Sequence, residues 1–183
     1  MTVKADIRRE IAIPESVQVE VHGALLKIKG SQHFLEQSFL HPKVKLTVEG
    51  KKVILFSERG SKREKTVLGS FAAHIKNMMK GVQDVFTYKL KICSGHFPMT
   101  VSVAGGEVVI KNFLGESVPR KIKILKGTEV KVAGNEITVS SPNKESAGQM
   151  AARIEKICDV GTRDIRIFQD GCYIYDKAGK GVI

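Results

Sequence analysis

Apolar and polar residues alternate along several short stretches of the chain. Val19 and Val21 flank Glu20, and Leu26 and Ile28 flank Lys27, with His22-Gly23 between the two runs. Alternation with period two marks half-buried strands, and a glycine between two such runs marks a hairpin turn. Leu46-Thr47-Val48 and Val53-Ile54-Leu55 repeat the arrangement around Glu49-Gly50-Lys51-Lys52. The spacing then changes. Val67, Leu68, Phe71, Ile75, Met78 and Met79 recur at three and four residues, which puts one apolar stripe on a helix.

The same progression then happens again. Val101-Ser102-Val103-Ala104-Gly105 reads like residues 19–23 at an offset of 82, and Val108-Val109-Ile110-Lys111 reads like residues 26–29. Val130-Lys131-Val132-Ala133-Gly134-Asn135-Glu136-Ile137-Thr138-Val139 follows residues 46–55 at an offset of 84. Gly148-Gln149-Met150-Ala151-Ala152-Arg153-Ile154 matches Gly69-Ser70-Phe71-Ala72-Ala73-His74-Ile75 at an offset of 79. The second helical stripe is Ala147, Met150, Ala151, Ile154, Ile157 and Cys158, and Ser141-Pro142 before it reads as N-cap and first helical residue.

Repetition at this length means two copies of one unit. The expected fold class is α+β: two tandem, mostly antiparallel sheet units, each with one packed helix, followed by a C-terminal extension. The expected divisions are 1–82, 83–160 and 161–183. A unit of this size buries only about 60% of its unfolded surface, enough to fold on a narrow margin. No Pro/Gly/Ser-rich linker separates the copies, so the junction near Gly81–Phe86 is expected to be short and stiff.

The extension has no counterpart in the first copy. Ile165 and Ile167 alternate with Arg166, Asp170-Gly171 is a two-residue hairpin signal, and Phe168 and Tyr173 read as hairpin core. Residues 178–183, Ala-Gly-Lys-Gly-Val-Ile, read as a loose basic tail.

Composition narrows the partners. Thirty Lys and Arg against nineteen Asp and Glu give a net charge of +11 over 183 residues. That favours a polyanion: nucleic acid, an acidic protein or an anionic surface. The largest excess, +7, lies between residues 43 and 80 and includes Glu58–Lys65, read as a polar loop. This loop is either a phosphate contact or a solvated face beside a neighbouring protein, with the second preferred. Arg120, Lys121, Lys123, Lys126 and Lys131 form another cluster, interleaved with Ile122, Ile124 and Leu125. No run of about 18 apolar residues would span a membrane, and the charged start lacks a signal-peptide core, so no membrane partner is expected.

Catalytic patterns are missing. The five histidines show no H-x-x-x-H or H-E-x-x-H spacing, and the three cysteines form no C-x-x-C. Gly179-Lys180-Gly181 lacks the rest of a phosphate loop, and Gly105-Gly106 has no helix after it. Cys93-Ser94-Gly95-His96 reads as a half-buried thiol beside a turn. No enzyme activity, metal or cofactor is expected. Aromatics are 6% and no paired aromatics on one strand stand out, so phosphate and 2′-hydroxyl contacts are expected to outweigh base stacking.

Three features together resemble a family. They are the duplicated unit, Asn77-Met78-Met79-Lys80-Gly81-Val82 closing the first helix, and Arg166-Ile167-Phe168-Gln169-Asp170-Gly171-Cys172-Tyr173-Ile174. The chain resembles the ribosomal protein "L-six" family of the large subunit, in its archaeal and eukaryotic form. Cys172 stands where that form usually has an aliphatic residue, a small change because a buried Cys packs as a small hydrophobe. The resemblance implies a cytoplasmic, structural constituent of the large subunit. It would bind large-subunit ribosomal RNA near the sarcin–ricin loop and the stalk base, beside neighbouring ribosomal proteins, and touch translation factors only indirectly. The second copy and the extension would carry the RNA contacts. Carried onto this chain, Arg163, Arg166, Lys177 and Lys180 would meet RNA, with Lys111, Arg120, Lys121 and Lys123 beside them. Gly105 and Gly106 would let backbone approach the RNA closely. Asp164, Asp170 and Asp176 would face away from it. The other reading is a basic interaction module whose Glu58–Lys65 segment docks an acidic protein.

Overall fold

The computed structural model describes residues 5–181, with the side chains of Ala5 and Arg59 not described. The chain divides into two units, Met1–Val85 and Phe86–Ile183.

The first unit begins with β1 (Ala5–Ala12), β2 (Gln18–His22), β3 (Leu25–Lys29) and β4 (Phe34–Ser38). It continues through β5 (Lys45–Glu49), β6 (Lys52–Gly60) and α1 (Lys62–Gln83). Two three-stranded antiparallel sheets form, in the orders β1-β6-β5 and β2-β3-β4. The stripe of α1 packs Leu68, Ala72, Ile75, Met78, Met79 and Val82 onto Val53, Leu55, Leu26 and Ile28.

The second unit repeats that plan with β7 (Phe86–Cys93), β8 (Thr100–Ala104), β9 (Glu107–Lys111) and β10 (Arg120–Lys123). β11 (Glu129–Ala133), β12 (Glu136–Ser141) and α2 (Lys144–Ile157) follow. The order β11-β12-β7 mirrors β5-β6-β1, and β8-β9-β10 mirrors β2-β3-β4. Met150, Ala151 and Ile154 of α2 close a core with Leu90, Ile137, Val139, Val108 and Ile110. The fold class is therefore α+β with a duplicated domain.

The second unit then adds strands that the first lacks. β13 (Gly171–Lys177) pairs with β7, on the side where β1 has no strand among the described residues, and β14 (Lys180–Gly181) pairs with β13. The backbone N–H of Ile174 also donates to Glu155 Oε1 of α2 at 3.1 Å.

Four local expectations are corrected. The Glu58–Lys65 segment is no loop: its first residues end β6, Ser61 caps α1, and Lys62–Lys65 form the first helical turn. A capping box is responsible, because Ser61 accepts from Arg63 N while the Ser61 N–H donates to Glu64 Oε2 at 2.7 Å. The cap of α2 is Asn143, whose Oδ1 accepts from Glu145 N at 2.9 Å. Ser141 is instead buried at the end of β12. Asp170-Gly171 makes no hairpin; residues 161–170 form an irregular loop entering β13, and the turn is Ala178-Gly179. Lys180-Gly181 is paired strand rather than tail, and Val182 and Ile183 lie outside the described residues.

Candidate nucleic-acid interface

Several cations of the first unit are paired with carboxylates. Lys45 meets Glu58 at 3.0 Å, Lys51 meets Glu15 at 2.8 Å, and Lys52 meets Glu10 at 2.8 Å. Lys43 lies 3.5 Å from Glu64. Four lysines of the +7 segment are thus neutralised locally, although exposed pairs of this kind stabilise little. Glu64 itself is buried, and its pKa is held down to about 2 by hydrogen bonds from the Ser61 side chain and backbone.

The second unit gathers the site residues into three groups. The first group lies on the outer face of the β8-β9-β10 sheet. Lys121 pairs with Val109, and Lys123 with Glu107, so both lysines and Lys111 emerge on one side. All three are exposed, and none has an ion-pair partner among the described residues. Gly105 and Gly106 form the adjacent β8–β9 turn with φ of +60° and +76°, and open space where a Cβ would stand. Glycine is needed there for the left-handed backbone of the turn.

Arg120 belongs to the same strand but faces inward. Its Nε and Nη2 donate to Glu116 at 2.8 and 2.5 Å, and its Nη1 donates to the carbonyls of Ile157 and Asp159 at 2.6 and 3.0 Å. Its guanidinium also lies 4.3 Å from the Phe113 ring centre. The side chain closes the C-terminal end of α2, where the helix leaves carbonyls unpaired. Its donors are thus engaged within the unit, unlike the ammonium groups of Lys121 and Lys123.

The second group is the 161–170 loop. Asp170, 2% exposed, anchors it: the carboxylate accepts from the N–H groups of Gly95 and His96 and meets His96 Nδ1 at 2.5 Å. Burial pushes this carboxyl up, but the hydrogen bonds from His96 and Gly95 outweigh it and its pKa is lowered. Phe168 lies between the His96 ring, 4.8 Å away, and the Arg163 guanidinium, 5.2 Å away. Arg166 is exposed and paired with Asp164 at 2.7 Å. Asp170 faces the protein, and Asp176 accepts from Gly179 N in the turn.

Lys177 and Lys180 are the third group, opposite each other beside the Ala178-Gly179 turn. Six residue steps separate Gly171 from Lys177, so the loop and the hairpin stand roughly 20 Å apart at the two ends of β13.

Sequence reasoning missed what lies between them. Tyr173 is 39% exposed rather than core, and it pairs with exposed Lys91 of β7. Tyr175 is the extra residue of a bulge and lies in a groove with Lys91, Ala133 and Glu136. The spacing of Tyr173 and Tyr175 on one strand was the available signal. The thiols raise no catalytic arrangement. Cys158 and Cys172 are buried together, the Cys172 thiol is pushed up by its contact with Cys158 and by burial, and Cys93 is half-buried. Among the described residues no three His, Cys, Asp or Glu side chains could share a metal ion. Among the described residues no helix is long and apolar enough to cross a membrane.

Fold and surface thus define a duplicated α+β scaffold whose second copy carries unneutralised cations. The ribosomal protein L6 family model matches residues 13–85 and 97–171, once in each unit. The large ribosomal subunit protein uL6 of Methanococcus vannielii is 46% identical over 180 residues, covering 98% of this chain and 99% of its own length. That of Methanosarcina mazei is 46% identical over 173 residues, covering 94% and 98%. The chain belongs to the ribosomal protein L6 family and is a structural, non-catalytic protein of the large ribosomal subunit.

Proposed function

We propose that the second unit and residues 161–181 form the main RNA-binding part. They would hold large-subunit ribosomal RNA near the sarcin–ricin loop and the stalk base, supporting the cytoplasmic ribosome's translation-factor site. The observation that carries this reading is the grouping of exposed lysines without ion pairs among the described residues: Lys111, Lys121 and Lys123 on one face of a sheet, and Lys177 and Lys180 opposite each other at the hairpin. Unpaired cations on rigid sheets meet phosphates with little loss of internal interactions. Arg163 and Arg166 extend this surface onto the loop.

The test is binding of the purified chain to a large-subunit RNA fragment carrying the sarcin–ricin stem, titrated with salt beside an unrelated structured RNA. Preference for the ribosomal fragment is expected, with a steep salt dependence. Lys121→Ala/Lys123→Ala and Lys177→Ala/Lys180→Ala should each weaken binding and reduce the log–log salt slope by about one to two. Unchanged slopes would remove these lysines from the interface.

A second reading rests on Lys62, Arg63 and Lys65, exposed on the first turn of α1. Basic residues oppose the helix dipole there. This reading makes them a dock for an acidic neighbouring protein. Their replacement by alanine should then release that neighbour while leaving RNA affinity intact.

A further inference from the structure

The 161–170 loop exposes what a purely electrostatic surface has no use for. Ile165 is 70% exposed and Ile167 62%, and both line, together with Tyr173, a groove of about 790 Å³. Leu40 and Val118 are exposed as well, at 82% and 74%, but neither lines this groove. Exposed isoleucines carry a hydration cost that only an apolar contact relieves.

The two walls of the groove are tied together. These walls, the turn at Ser94-Gly95-His96 and the loop at 165–169, are some 75 residues apart in sequence and are joined by the buried Asp170 carboxylate. The Tyr173 ring rests over Gly171, 3.3–3.4 Å from where a Cβ would be, so the missing side chain seats the ring. Ser94 and Gln169 add polar groups to the lining. Cations stand near the lining residues: Arg166 follows Ile165 and precedes Ile167 in the chain, Arg163 lies 5.2 Å from the Phe168 ring, and exposed Lys91 is the cross-strand partner of Tyr173.

An occupant must therefore have a flat apolar face, hydrogen-bonding edges and negative charge close by. A nucleotide released from pairing has all three, and sequence-specific RNA readers bind such nucleotides by stacking and edge hydrogen bonds. A groove of several hundred cubic ångströms accommodates it. We infer that this groove is a socket for an unpaired nucleotide of RNA. Its base lies on Tyr173 between Ile165 and Ile167, its edge meets Ser94 or Gln169, and its phosphates meet Arg163 and Arg166. The inference rests on the RNA-binding reading above and adds what the arginines alone do not provide, recognition of a base rather than of backbone.

Footprinting of the full-length chain on the same large-subunit RNA fragment tests it. Dimethyl sulfate and carbodiimide report base edges, and hydroxyl radicals report the backbone. The wild-type chain should protect at least one unpaired base together with its flanking backbone. Tyr173→Ala should expose that base, leave most of the backbone footprint, and weaken binding about tenfold, in line with loss of one stacked base. Ile165→Ser/Ile167→Ser, confined to exposed positions that the core does not need, should do the same. Arg163→Ala/Arg166→Ala should lose both kinds of protection at that nucleotide. If wild type and Tyr173→Ala share one base pattern and one affinity, RNA binding stands and the socket is overturned, leaving the isoleucines to a protein neighbour. Absence of any footprint would overturn the RNA-binding reading and the socket with it.

Discussion

Ser57 and Ser141 occupy the same place in the two repeats, at an offset of 84, and both are buried. Their hydroxyls differ in circumstance. Ser141 donates to the Gly127 carbonyl at 2.7 Å and accepts from Asn143 N, whereas the Ser57 hydroxyl has no hydrogen-bond partner among the described residues. Leaving a buried acceptor unmet costs roughly 1–3 kcal/mol, and removing an unpaired hydroxyl costs nothing comparable. Ser141→Ala should therefore destabilise by about 1–3 kcal/mol, while Ser57→Ala should be neutral or stabilising, as denaturant midpoints will measure. Glu64 gives a pH prediction on the same scale. Its pKa, near 2, lies below the ordinary 4.5, so its stabilisation is complete above pH 4.5 and is lost as pH falls towards 2. Glu64→Gln should flatten the acid limb of a pH–stability curve in that window.

Elements are where the repeat was most legible and the additions least. The β2–β3 and β8–β9 hairpins, the β5–β6 and β11–β12 hairpins and both helices follow directly from alternation, turn glycines and helical spacing. β1 and β7 lack the adjoining turn glycine that marks the hairpins. β7 alternates Tyr88, Leu90 and Ile92 with Thr87, Lys89 and Lys91, a pattern that shows its meaning only once it lies between β12 and β13. Helix glycines were also opaque: a Cβ on Gly148 would stand 3.2 Å from the Tyr88 hydroxyl, and one on Gly69 3.8 Å from Arg9. Each helix keeps a gap for a long side chain of its unit's first strand. Gly30 marks the tightest approach, because a Cβ there would fall 2.5 Å from the carbonyl oxygen of Val82 near the end of α1. Gly30→Ala should destabilise the first unit by roughly 1–3 kcal/mol, as overpacked positions do, read as a lowered melting temperature.

At the scale of the whole molecule, each unit has its own apolar core, and the two clusters share no residue. Asp170→Asn should weaken the carboxylate's hold on the 94–96 turn and loosen the loop, whereas Gly30→Ala acts on the other unit. Calorimetry should show each variant lowering a different part of the unfolding profile, and amide exchange should place the Asp170→Asn effect around residues 93–96 and 165–173. RNA affinity should fall with Asp170→Asn and persist with Gly30→Ala under conditions where both units are folded. Net charge along the chain does not report local compensation. The +7 of residues 43–80 singled out the first unit, yet carboxylates at Glu10 and Glu15, distant in sequence, fold back onto its lysines.

The sequence by itself determined the duplication, the α+β class, both helical stripes and the basic character, because these depend on periodicity and composition, which are local. It also determined the family resemblance through motifs at fixed spacing. Tertiary structure alone decided that Arg120 closes a helix, that Asp170 joins a loop to a turn 75 residues away, and that Tyr173 and the two isoleucines line one groove. The reason is physical: which donors are engaged and which apolar groups stay uncovered depends on neighbours brought together by folding. No period in the chain encodes such neighbours. The same arginine or isoleucine reads alike in sequence whether it faces the core, a carbonyl or water.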